Sequence, residues 1–157
     1  MGLKVGDKAP DFSLISSDKQ LVSLAGFKGK NLLILFFPFA FTSTCTKELC
    51  SVRDQIAAFN SVSSEVLGIS VDSPYTLAKY KEEQSLNFTL LSDFNKEVSL
   101  AYNSLYAVFG NGLRGVSKRA AFLIDKEGVL QYVEVLESAG EIPNLEAIKS
   151  LLVKLNQ

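Results

Sequence analysis

Hydrophobic positions change their period several times along the chain, and each change marks an element. From Leu32 to Phe37 the residues are apolar without interruption, the pattern of a strand buried on both faces. Pro38 ends it. Beyond Pro38 the period lengthens: Leu49, Val52, Ile56 and Phe59 recur three or four apart, with Lys47, Arg53 and Asp54 among the residues between them. That spacing predicts one helix, for which Thr42, Ser43 and Thr44 are all N-cap candidates. Upstream, Phe12 to Ile15 and Leu21 to Leu24 read as short strands around a polar SSDKQ turn, a hairpin.

Downstream, Glu65 to Val71 is a second buried strand. Ser73-Pro74 then places a capping residue before a proline at the first helical position, and a helix runs to about Ser85. Phe88 to Leu91 reads as a strand and Asn95 to Tyr102 as a short helix. Arg119 to Asp125 and Val129 to Val135 are strands joined by the KEG turn, an antiparallel hairpin. Asn144 caps a last helix with Leu145, Ile148, Leu152 and Leu155 on one face. This order predicts an α/β fold, a central sheet covered by helices and made mixed by its last hairpin.

Composition narrows the function classes. With 157 residues, the chain suits one domain over residues 1–157 with a core that needs no disulfide or metal. Net charge is −1 with no block of like charge, which argues against nucleic acid or an anionic membrane as the main partner. MGLKVGDKAPDFSL shows neither a secretory h-region nor a transit pattern. Gly6 stands where a myristoylation signal has Ser or Thr. The longest apolar run, Leu32 to Phe41, is too short to span a bilayer and holds Pro38. A cytoplasmic location is expected, where thiols stay reduced unless their oxidation is part of the work.

The chain has no histidine and two cysteines, and both cysteines lie in FPFAFTSTCTKELC, residues 37–50. Cys45 falls in the first turn of the helix predicted after the buried strand. Unpaired N–H groups and the positive end of the dipole converge there. Two readings fit. Cys45 is a reactive thiolate held by those dipoles, or it is a small buried hydrophobe facing inward with Leu49, Val52 and Ile56. Without imidazole, a cation would come from Arg53, Arg114 or Arg119, and Arg119, at a strand start, can project from a sheet edge toward the helix. Five residues apart on an ideal helix, Cys45 and Cys50 have Cα atoms about 8–9 Å apart, beyond the roughly 7 Å a disulfide tolerates. A bond between them requires the first turns to unwind, so a disulfide here is transient or does not form.

Pro38-x-x-x-Thr42-x-x-Cys45 matches a known signature, and the sequence resembles the peroxiredoxins over nearly its whole length. KVGDKAPDFSL is similar to the family's opening and LGISVDSP to its second strand and turn. Glu48 fills the common acidic place three after the cysteine, and Arg119 in KRAAFLIDKEG stands where the family keeps its active-site arginine. Cys50 resembles the resolving cysteine of the bacterioferritin-comigratory-protein (PrxQ) type. LLSDFNKEVSLAYN and the tail after Arg119 are more similar to the alkyl-hydroperoxide-reductase-E type, which often works with one cysteine and an external thiol.

The resemblance implies a thioredoxin-like fold and a peroxidase that needs no cofactor and no metal. Its substrates would be hydrogen peroxide and organic hydroperoxides. Cys45 would become a sulfenic acid, with Thr42, Arg119 and the Thr44 and Cys45 N–H groups as donors and Pro38 as a shield against water. Cys50 would resolve the sulfenic acid for a thioredoxin-like reductant, or serve only as packing. Glu48 would orient Arg119, or be a favourable acid in a first turn. The protein would be a monomer or homodimer. Three other classes compete. A thiol–disulfide oxidoreductase wants CxxC, a binding module without chemistry would lack Thr42, Cys45 or Arg119, and a two-cysteine metal site needs ligands from a partner chain.

Overall fold

The computed structural model describes residues 2–60 and 63–156. Its centre is β3 (Asn31–Phe36), buried at every position. Period two explains how. Leu33 and Leu35, continued by Phe37, enter one core, while Leu32, Ile34 and Phe36 enter the other. Asn31, the polar member, donates from Nδ2 to Asn156 Oδ1 at 2.8 Å.

Seven strands form one sheet. The others are β1 (Ser13–Ser16), β2 (Leu21–Ser23), β4 (Ser64–Ser70), β5 (Thr89–Ser92), β6 (Arg119–Ile124) and β7 (Leu130–Leu136), in the order β2-β1-β5-β4-β3-β6-β7. Strands β3, β4 and β5 run parallel. The β6–β7 hairpin joins antiparallel on one side, as its KEG turn predicts, and the β1–β2 hairpin joins antiparallel to β5 on the other.

The helices are α1 (Ser43–Asp54), α2 (Ile56–Phe59), α3 (Pro74–Glu83), α4 (Glu97–Ala101) and α5 (Leu145–Leu155). Cys45, Leu49 and Val52 of α1, Phe59 of α2, Leu77 and Tyr80 of α3, and Leu145, Ile148 and Leu152 of α5 fill one core. Val98 of α4 packs in the other with Phe12, Tyr102 and Phe122. Ser73 and Asn144 cap as their sequence positions predict, accepting from the Thr76 and Ala147 N–H groups at 3.1 and 3.0 Å.

One expectation changes. The helix expected to continue from α1 to Phe59 breaks at Gln55, whose ψ is 26° and whose N–H bonds back to Val52. Leu49, Val52 and Phe59 are nonetheless all buried, so their spacing cannot register a one-residue break. Arg119 starts its strand as expected, and that strand, β6, lies between β3 and β7.

That interior place positions the site. Because β6 runs antiparallel to β3, Ala120 pairs with Phe36, the last residue of β3. Arg119 therefore begins its strand where β3 leaves the sheet. No helix among the described residues is long and apolar enough to cross a membrane.

Close packing of the sheet gives a test of the fold. A Cβ on Gly68, which pairs with Leu35 and Leu90, would lie 2.7 Å from Leu90 Cδ2. Gly68→Ala is expected to lower stability by about 1–3 kcal/mol through overpacking, read as a lower urea midpoint with an unchanged slope.

Candidate active site

The chain leaves β3 through Pro38–Phe41 and enters α1 with Thr42 as N-cap. Phe41 takes a left-handed φ of 67°, a strained value for a bulky residue. Its neighbours hold it there. Asp72, just past β4, accepts the Ala40 N–H at 2.8 Å and the Ser70 hydroxyl at 2.7 Å. The Phe41 ring packs 5.0 Å from that of Tyr80.

Thr42 occupies the cap position, but its side chain does not cap. Its hydroxyl donates instead to the Phe39 carbonyl at 2.9 Å. The first bond into the helix runs from the Thr46 N–H to the Thr42 carbonyl. Ser43, Thr44 and Cys45 thus sit in the first turn, where N–H groups have no helical partner.

On the inward face of α1, Cys45, Glu48, Leu49 and Val52 are all buried. Two of these four carry chemistry, and both meet Arg119. Its Nη2 lies 3.1 Å from Cys45 Sγ and its Nη1 2.7 Å from Glu48 Oε1. Nε and Nη2 also donate to the Ala139 carbonyl at 3.3 and 2.9 Å. The guanidinium is thus held on three sides. Cys45 and Glu48 are 0% exposed and Arg119 is 1% exposed.

Burial dominates the acid. It pushes Glu48 up from 4.5 to about 7, against the charge and hydrogen bond of Arg119, with Glu134 adding to the rise. Its second oxygen, Oε2, has no hydrogen-bond partner among the described residues. Burial works against the charge of Arg119 as well, but Glu48 and Cys45 outweigh it and raise its value. Above the sulfur is a cavity of about 210 Å³ lined by Pro38, Phe39, Thr42, Cys45, Phe109 and Arg119. The Phe39 and Phe109 rings meet edge-on, 5.9 Å apart.

Cys50 lies elsewhere on α1. It is half-buried, and its Sγ donates to Gln84 Oε1 at 3.6 Å, at the end of α3. Both cysteines are free, within one continuous helix. Arg53 is engaged elsewhere too: its Nε pairs with Asp54 at 2.9 Å and its Nη1 donates to the Gln84 carbonyl at 2.6 Å.

Sequence reasoning names Pro38, Thr42, Thr44, Cys45, Glu48 and Arg119, and these six converge. It misses Ala139, which acts through its backbone and leaves no side-chain signal. It also misses Asp72 and Phe109. An acid directly after a buried strand was the available signal for Asp72. For Glu48, the signal was a carboxylate on the apolar face of a helix.

A pH test follows from Glu48. The native state holds its proton more tightly than the unfolded chain, so this residue makes stability fall as pH rises from 4.5 to about 7. Across that window the reduced protein is expected to lose stability more steeply than Glu48→Gln, measured by urea unfolding. Parallel profiles would contradict it.

Comparison with known proteins agrees with this geometry. Residues 5–133 match the model of the AhpC/TSA family. The chain is 39% identical over 141 residues to alkyl hydroperoxide reductase E of Mycobacterium tuberculosis, covering 89% of this chain and 90% of the relative. It is 38% identical over 133 residues to peroxiredoxin Bcp of Escherichia coli, covering 83% and 85%. Among solved structures, a peroxiredoxin-like protein from Aquifex aeolicus superposes with a TM-score of 0.89 at 28% identity, over 99% of this chain and 89% of the other. The fold is thioredoxin-like. The chain belongs to the AhpC/TSA family and is a peroxiredoxin, a thiol-dependent peroxidase.

Proposed function

We propose that Cys45 is the sulfur that reacts with hydrogen peroxide and organic hydroperoxides. The observation that carries this reading is the 3.1 Å contact of Arg119 Nη2 with Cys45 Sγ at the floor of a cavity. Cys45 attacks as its thiolate. The sulfur bonds to the terminal peroxide oxygen, the O–O bond breaks, and alkoxide or hydroxide leaves and takes up a proton. Sulfur is oxidised to sulfenic acid and the peroxide is reduced.

Negative charge moves along that line from sulfur to oxygen, so fixed donors beside it stabilise the transition state. Arg119 is the permanent one. The Thr44 and Cys45 N–H groups act from the helix end. Thr42 joins them when its hydroxyl turns from the Phe39 carbonyl toward substrate. Pro38, Phe39 and Phe109 exclude water, and a peroxide reaches the sulfur as these side chains part. Glu48 orients the guanidinium through its 2.7 Å bond.

Cys50 then resolves the sulfenic acid. Its thiol attacks Cys45, an S–S bond forms and water leaves. A thioredoxin-like dithiol reduces the disulfide in the cytoplasm. The protein works as a monomer or homodimer, away from membranes and nucleic acid, without metal or cofactor. One observation favours a second reading in which Cys50 is structural and an external thiol reduces Cys45. Helix α1 is continuous through both cysteines and Cys50 is engaged by Gln84, so resolution requires the first turns to unwind.

Two substitutions separate these readings. Cys45→Ser is expected to abolish peroxide consumption with a dithiol donor, and unchanged turnover in that variant rejects the assignment. Peptide mass spectrometry after one equivalent of peroxide is expected to show a Cys45–Cys50 disulfide in the wild type and a stable sulfenic acid in Cys50→Ser. Absence of that disulfide from the wild type selects the one-cysteine cycle.

A further inference from the structure

Two contacts of one buried residue bracket Cys45. Tyr80 of α3 is 0% exposed. Its ring packs 5.0 Å from that of Phe41, which precedes the sulfur, and its hydroxyl lies 2.9 Å from Oγ1 of Thr46, the residue after it. The chain between these two points has reason to open. Phe41 keeps its left-handed φ of 67°, and the first-turn N–H groups of α1 lack helical partners. Unwinding would relieve the first and let water reach the second.

Other contacts hold α1 less directly against that motion. Arg119 engages Cys45 through the sulfur, the atom that oxidation changes. Arg53 meets the Gln84 carbonyl beyond the turns that must open for Cys45 to reach Cys50. The hydroxyl pair is untouched by oxidation and ties residue 46 to α3. The Tyr80 hydroxyl bonds no other group among the described residues, so breaking the pair strands it in the core.

We propose that the Tyr80 and Thr46 hydroxyls form the latch of α1: their bond keeps the first turns wound while peroxide reacts, and its breaking sets the rate at which oxidised Cys45 is handed to Cys50. This rests on Cys45 being the peroxide-reactive sulfur and Cys50 its resolving thiol. Both latch residues act through the helix, so they are positioning residues. The step they time is a condensation. The Cys50 sulfur bonds to the Cys45 sulfur, the S–O bond of the sulfenic acid breaks, and its hydroxyl leaves as water with the Cys50 thiol proton.

Tyr80→Phe removes one hydroxyl and keeps the ring against Phe41. Thr46→Val removes the other and puts a methyl in its place. The wild type, both variants and the double variant are compared in two readouts. Amide exchange of residues 46–50 in the reduced protein reports opening of the turns. Quenched mass spectrometry after one equivalent of hydrogen peroxide separates sulfenic acid formation from disulfide formation. Loss of one neutral hydrogen bond predicts exchange and disulfide formation faster by about 2- to 12-fold in Tyr80→Phe, with the rate of Cys45 oxidation unchanged. Where Thr46→Val has already removed the partner, Tyr80→Phe is expected to accelerate neither process further.

Exchange in Tyr80→Phe equal to that of the wild type overturns the inference. So does an equal acceleration by Tyr80→Phe in both backgrounds, or a slowing of both chemical steps together, the mark of a merely structural role. Exchange that quickens as expected while no disulfide forms in any of the four proteins supports the latch and rejects Cys50 as the resolving thiol. Because exchange is read without peroxide, failure of the latch and failure of the underlying reading are told apart.

Discussion

A single buried guanidinium organises the active end of this molecule. Arg119 is long enough to reach from the start of β6 to the first turns of α1, and there it meets a thiol and a carboxylate at hydrogen-bond distance. A buried cation is costly unless its donors are matched. Cys45, Glu48 and the Ala139 carbonyl share them. The same contacts that make the burial tolerable aim the charge at the sulfur. The sheet register is what allows it, since antiparallel pairing sets Ala120 opposite Phe36, the last residue of β3, and so starts β6 with Arg119 where β3 ends.

Around that contact, α1 is fastened to α3 along one seam. Thr46 Oγ1 lies 2.9 Å from the Tyr80 hydroxyl, Cys50 meets Gln84 through its thiol, and Arg53 meets the Gln84 carbonyl. Burial pushes Tyr80 up to about 12, so it stays a neutral phenol and a lasting partner for Thr46. The seam keeps the helix end in place for the first chemical step. The second step, if Cys50 takes part, has to give up part of that order. Fastening and release thus fall on the same few side chains.

Much of this was legible in the residues. Uninterrupted apolar character marks β3 because both its faces are covered, and Ser73-Pro74 and Asn144 carry their own capping chemistry. Cys45 announces itself by its place just after a buried strand. The break at Gln55 was not legible, since both halves of the helix keep their apolar side inward. Nor was the role of Ala139, because any residue supplies a carbonyl. Arg119 was identified at the start of its strand, but the place of that strand between β3 and β7 was not, since the order of strands in a sheet is a long-range property that local patterns do not encode. Thr42 shows the same limit, since a hydroxyl suited to capping turns instead to the Phe39 carbonyl.

The contact between Arg119 and Cys45 is best tested by removing the charge and keeping the bulk. Single-turnover oxidation of Cys45 by hydrogen peroxide, compared between the wild type and Arg119→Met by quenched mass spectrometry, reads the first chemical step apart from the reductive ones. Loss of a preorganised donor at developing charge predicts a rate lower by about 10²- to 10³-fold in the folded variant. An equal rate in the two proteins would contradict the guanidinium's role in activating the sulfur.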